Sequence, residues 1–219
     1  LDIKKFLSDE EFTVIEGIVK KIKELRKSDD TTEQILAAAI IALQSRNKAT
    51  TLITPQLEQI YESSTKVANI NTTLDTPSES VFQSYAKEYA QSRTADLVDG
   101  LDDSTRAMLK SDLMKYMDQG LSVTDIAKNL QSNYAFSEQR ALTISRTETG
   151  MVWNKAAIDT YRLGGAKGVS VMDGDSDPEC AEANGENWSF DYAEDHLLQH
   201  PNCVRSFGIM SDNDTLDRG

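Results

Sequence analysis

The chain has 219 residues, with 36 acidic against 23 basic side chains and a net charge of -13 at neutral pH. Only 7% aromatic residues, with 11 Gly and 4 Pro, argue against one globule built on aromatic packing or a many-turned β protein, and for long regular elements, chiefly helices. The acidic balance disfavours a sequence-independent grip on nucleic acid, which needs clustered Lys and Arg to neutralise phosphates.

The N-terminal Leu1-Asp-Ile-Lys-Lys5 lacks the apolar stretch of a signal peptide. Ser8 with Glu11 fits a capping box, and Phe12, Ile15, Ile18, Val19, Ile22 and Leu25 follow at helical spacing. Thr31 with Gln34 opens a second helix through Ile35–Leu43. At nine residues this is the longest apolar run, well short of the roughly twenty that span a membrane, so the expectation is a soluble, non-secreted chain without membrane contact. Thr54-Pro55 starts a third helix, with Pro where its missing N–H costs nothing. Thr76-Pro77-Ser78-Glu79 starts another. Ser104, Ser122 with Asp125, and Ser137 read as later caps, and Gly120 as a stop. The last helix runs from Ser137 to Leu163 and ends at Gly164-Gly165.

After Gly165 the pattern changes. Gly168–Met172, Asn187–Phe190 and Val204–Met210 read as short strands separated by turn formers and acids. Residues before Ala135 carry 16 basic and 21 acidic groups and those after it 7 and 15, so the excess acid sits in the smaller part. The expected fold is mainly α: a helical arm or body over 1–135, a small α+β module with a short sheet over 136–210, and a mobile acidic tail over 211–219.

Both cysteines and both histidines lie in the last 40 residues. Asp177 and Cys180 are three apart, as are His200 and Cys203, and two such pairs on two tight turns could close a tetrahedral zinc site. His196, four residues before His200, is a substitute for Asp177 in that set. The other readings are two buried thiols that act as small hydrophobes, or a reducible pair. Asp173-Gly-Asp175-Ser-Asp177 copies the opening of a calcium loop, but Pro178 and Asn184 stand where that loop needs Gly and a bidentate Glu. It is therefore a solvated acidic loop with at most loose affinity for divalent ions. Arg146 and Glu148 on the last helix form either a buried locking pair or part of a charged face on which Glu148 pairs with Lys155. No GxSxG, HExxH, Walker or GxGxxG pattern occurs. A cysteine with His200 as thiol and base is the remaining catalytic option.

Ala141-Leu-Thr-Ile-Ser-Arg-Thr-Glu-Thr149, then Asn154, then Asp177-Pro-Glu-Cys-Ala-Glu-Ala-Asn-Gly185 and His200-Pro-Asn-Cys203 together resemble the Mu F-like minor head proteins of tailed phages. That family shows an Arg-Thr-Glu helix followed by Asn, a Cys-Pro-x-Cys turn with Gly five residues beyond, and a His-Pro-x-Cys-x-Cys close. Arg146, Thr147, Glu148, Asn154, Cys180, Gly185, His200, Pro201 and Cys203 match in order, over about residues 137–210. Asp177 and Arg205 stand where the family has its outer cysteines, so a four-thiol arrangement cannot form and a metal site must recruit Asp177, His200 or His196. The resemblance implies a non-enzymatic minor capsid protein. It would bind the portal inside the procapsid, with scaffold or major capsid protein as further partners and transient contact with viral DNA. It would assist head assembly, DNA packaging or ejection, in the host cytoplasm and then in the capsid interior near the portal. The alternative is an enzyme or toxin-type effector carrying a head-like module; its helical part would have no His or Cys to use.

Overall fold

The computed structural model describes residues 16, 53–70, 77–119, 121, 125, 128–129, 138–174 and 177–219. The expected helices at Ser8–Leu25 and Thr31–Leu43 lie outside these residues apart from Glu16, which is helical. So do Thr76, Gly120, Ser122 and Ser137. The described chain is mainly α with one small antiparallel sheet, in the order α1 (Thr54–Ile70), α2 (Glu79–Asp118), α3 (Glu138–Leu163), β1 (Val169–Met172), α4 (Pro178–Ala183), β2 (Asn187–Trp188), α5 (Phe190–Asp195) and β3 (Ser206–Ile209). No helix among the described residues is long and apolar enough to cross a membrane.

The described residues divide into two units, one drawn from positions 54–91 and 143–219, the other from Ile53 and positions 92–142 with Glu16. Everything that positions the chemistry belongs to the first. Helix α1 buries Leu57, Tyr61, Ser64, Thr65 and Ala68, the three-and-four spacing of a single helical face. Although it precedes the C-terminal module by some seventy residues in the chain, this face packs on α3. Tyr61 donates to Asp159 Oδ2 at 2.5 Å, Ser64 donates to the Trp153 carbonyl at 2.9 Å, and Ala68 enters the core formed by Ile158, Tyr161, Val169, Val171, Trp188 and Phe207. Burial and then the Asp159 carboxylate push the Tyr61 phenol far above its usual range, so it serves as a permanent donor.

Helix α2 starts at Glu79, with Ser78 rather than Thr76 immediately before it, and Ser78 O accepts from Val81 N at 3.0 Å. It then runs unbroken through Ser104, which corrects the expectation of a cap there. A serine inside a helix is free to use its hydroxyl laterally, and Ser104 Oγ accepts from Arg140 Nη2 at 2.6 Å, within the second unit. Helix α3 stops where expected. Gly165 takes φ 85, Ala166 N donates to Tyr161 O, and Gly165 N donates to Arg162 O, the paired bonds of a Schellman terminus that only a left-handed residue allows.

The sheet has the order β2-β1-β3, both pairs antiparallel. Val169 faces Trp188 on one side and Ile209 on the other, and Val171 faces Phe207. Alternation puts Val169, Val171 and Phe207 into the core while Met172 faces outward. A Cβ at Gly168 would lie 2.6 Å from the Trp188 carbonyl, so glycine is what lets the chain pass β2 this closely. The segment after 210, expected to be mobile, instead returns to the sheet. Ser189 N donates to Arg218 O at 2.8 Å and Asp217 N to Asn187 O at 2.7 Å. The Arg218 guanidinium pairs with Glu186 at 2.7 Å and lies over the Trp188 and Tyr192 rings. Its polarity hides backbone pairing that no local pattern announces.

Candidate functional site

Four of the predicted residues converge at one end of the module. Cys180 sits in α4, whose start is set by Asp177: the carboxylate Oδ1 accepts from Cys180 N at 3.0 Å, with Pro178 in the first turn. This capping bond holds the Asp177 carboxyl down at about 2. The helix ends at Asn184, and Gly185 follows with φ 89, donating its N–H to Val171 O at 2.9 Å. That left-handed backbone accounts for glycine at the matched position.

His200 and Cys203 occupy a separate turn. Cys203 N donates to His200 O at 3.1 Å, Pro201 stands at the second position, and Asn202 at the third has φ 63. Proline second and a residue tolerant of positive φ third are the requirements of a type II turn. The turn rests on α3. Asn202 N donates to Thr147 Oγ1 at 3.1 Å. The fully buried Asn154 amide donates to Leu197 O at 2.8 Å and to Arg205 O at 2.9 Å, clamping both ends of the loop. Gly150 lies under Leu198, whose methyls would meet an added Cβ at 3.3 Å. The Arg-Thr-Glu-to-Asn helix and the His-Pro-Asn-Cys turn are thus one structural unit.

The two halves meet through side chains. Cys180 Sγ lies 3.5 Å from His200 Nε2 and 3.8 Å from Cys203 Sγ. His200 Nε2 is 3.0 Å from Asp177 Oδ2, and its Nδ1 is 2.9 Å from Pro201 O. Cys180, His200 and Cys203 offer donor atoms that all fall within 4.8 Å of one another. Both cysteines are buried and free. Burial, then the Asp177 and Asp173 carboxylates, raises the Cys180 thiol well above its ordinary range, the reverse of what an activated nucleophile needs.

Behind Cys203, Asp173 and Arg205 form an ion pair at 2.9 Å with side chains essentially sealed from solvent. Arg205 also donates from Nη1 to His196 O at 3.1 Å and lies over Trp188, 4.9 Å from the ring centroid. Asp173 is therefore committed to Arg205 rather than to a cation loop; Asp175 lies outside the described residues. The position that carries a cysteine in the resembled family here supplies a buried charge pair bridging β1 and the strand that follows the turn. Sequence reasoning did not assign this pair. The lone Arg between Val204 and Ser206 was its only signal.

Other expectations are corrected. His196 stands apart from the cluster. Helix α5 ends at Asp195, so residues 196 and 200 are not on one helical face, and the His196 ring is stacked on Tyr192 at 4.1 Å with Nδ1 against Tyr192 O. Glu148 is buried while Arg146 is exposed, so they are no locking pair; two residues apart on a helix they point different ways. Lys155 pairs with Asp159 and, at 2.9 Å, with Glu194, not with Glu148.

Comparison with known proteins returns no match: no family profile, no curated protein and no solved structure aligns significantly with this chain.

Proposed function

We propose that the protein is a minor head protein of a tailed phage or prophage, associated with the portal and assisting head assembly, DNA packaging or ejection without catalysing a reaction. The observation that carries the reading is the clamp of Thr147 and Asn154 on the loop holding His200 and Cys203. Two motif residues of α3 thus hold the backbone of the loop that carries the motif residues His200 and Cys203, Asn154 through two buried hydrogen bonds and Thr147 through an exposed one. A chance string of motif letters has no reason to do so. Scaffold or major capsid protein and, transiently, viral DNA are secondary partners in this reading. Its setting is the capsid interior near the portal. The rival reading, an effector with a head-like module, would draw on a cysteine with His200, and burial raises the Cys180 thiol above its ordinary range, against the activation a nucleophile needs.

The test is co-expression with a tailed-phage portal protein from the same genome, followed by affinity capture of the portal ring. Stoichiometric or substoichiometric co-elution that survives nuclease treatment is expected. Absence of the chain from rings that are correctly assembled overturns the proposal.

A further inference from the structure

We propose that Cys180, Cys203 and His200, completed by Asp177, form a tetrahedral structural zinc site that staples α4 to the turn 200–203. The proposal stands on geometry and does not depend on the head-protein reading.

Zinc–sulfur and zinc–nitrogen bonds of about 2.3 and 2.0 Å set tetrahedral edges of roughly 3.8 Å between two sulfurs and roughly 3.5 Å between sulfur and nitrogen. The corresponding separations are 3.8 Å for Cys180 to Cys203 and 3.5 Å for Cys180 to His200. Nitrogen to carboxylate oxygen needs roughly 3.3 Å; His200 to Asp177 is 3.0 Å. Of the three other edges, Cys203 to His200 lies within 4.8 Å, and rotation of the part-exposed imidazole closes it; Asp177 lies outside the set of donor atoms mutually within 4.8 Å, so its edges to the two sulfurs close only as its carboxylate turns inward.

Sulfurs also touch at such distances without a metal, so the imidazole supplies the second argument. His200 Nδ1 faces the Pro201 carbonyl. A carbonyl only accepts, so Nδ1 carries the hydrogen. In the neutral ring Nε2 is then a lone pair, and it is aimed at an Asp177 carboxylate oxygen and the Cys180 sulfur. Two acceptors, the Nε2 lone pair and the Asp177 oxygen, face each other at 3.0 Å beside the Cys180 sulfur and need a cation between them, either a proton on the ring or a metal. A histidine whose outer nitrogen is tied to a backbone carbonyl is the usual arrangement of a metal ligand. Asp177 is prepared in the same way: Oδ1 is held by the Cys180 N–H and Oδ2 is left facing the site. Two thiolates, one imidazole and one carboxylate suit zinc, and four protein ligands leave no open position, which makes the site structural rather than catalytic.

The experiment titrates the full chain, stripped with chelator and kept reduced, with cobalt(II), then displaces cobalt with zinc. One equivalent of cobalt with tetrahedral visible absorption and a thiolate charge-transfer band, lost on adding zinc, is expected. Cys203→Ser abolishes the band. Because that variant removes a buried group and can unfold the module, His200→Gln and Asp177→Asn carry the test: each lowers affinity at least about tenfold while circular dichroism stays unchanged. His196→Gln leaves binding as it was. No tetrahedral band, which would leave His200 as a protonated partner of Asp177, overturns the proposal. So does a band that persists unchanged in His200→Gln.

Discussion

The two cysteines are held in opposite ways. Cys180 is positioned locally, by a helix whose cap, Asp177, is three residues away. Cys203 sits on a turn with little support of its own, fixed by Asn154 and Thr147, 51 and 55 positions from their partners, and by the Asp173–Arg205 pair beside it. One side of the site belongs to short-range chemistry and the other to the packing of the whole module. Damage should spread accordingly: local on the Cys180 side, module-wide on the Cys203 side.

The largest effect is expected at Asp173. Asp173→Ala leaves the Arg205 guanidinium buried without its counter-charge, a loss of about 3–5 kcal/mol in unfolding free energy by urea titration. A loss below 1 kcal/mol would mean that the pair is not sealed as the side-chain exposures of 1% and 0% indicate. Asn154→Ala comes next. It strips two buried carbonyls, Leu197 and Arg205, of their donor, an expected cost of about 2–4 kcal/mol read the same way.

How much of this was legible in the sequence follows the same division. The Thr54-Pro55 helix start, the Gly164-Gly165 stop and the three strands are short-range signals, and each appears within about two residues of where the letters place it; the short helices α4 and α5 are not read from the sequence, and Phe190, read as strand, opens α5. Asp177, Cys180, His200 and Cys203 were legible as two spaced pairs, and the structure brings them together. What the letters hid is what depends on distant partners. Ser104 looks like a cap because serine usually is one, yet its hydroxyl serves Arg140. His196 looks one helical turn from His200, but no helix connects them. Asn154 is a poor helix former in the middle of a helix, a hint of tertiary use that composition alone cannot direct to Leu197 and Arg205. The pairing of α1 with α3 through Tyr61 and Asp159 has no short-range signature at all.

The smallest effect sharpens the Cys180 side. Asp177→Ala removes the cap and should lower stability by less than either substitution above, with the change centred on residues 177–183 and reaching His200 through the lost carboxylate contact. Its pH dependence has a definite sign. The carboxyl is held at about 2, below its ordinary 3.8, so its contribution is complete above the ordinary value and fades as pH falls from there through about 2. The wild-type advantage over Asp177→Ala should therefore fade as pH falls below about 4 and vanish in strong acid. An advantage that grows as pH falls through that range would contradict the capping assignment.

The His200–Cys203 turn closes on its own Cys203 N to His200 O bond, and α3 holds that turn in place through Thr147 and Asn154. Amide hydrogen exchange of the full chain tests it most directly, comparing Asn154→Ala with Asp177→Ala. The expected result for the metal-free chain is faster exchange across residues 197–205 in Asn154→Ala, and faster exchange centred on residues 177–183, with a smaller rise at His200, in Asp177→Ala. Unchanged protection of 197–205 in Asn154→Ala would contradict the account.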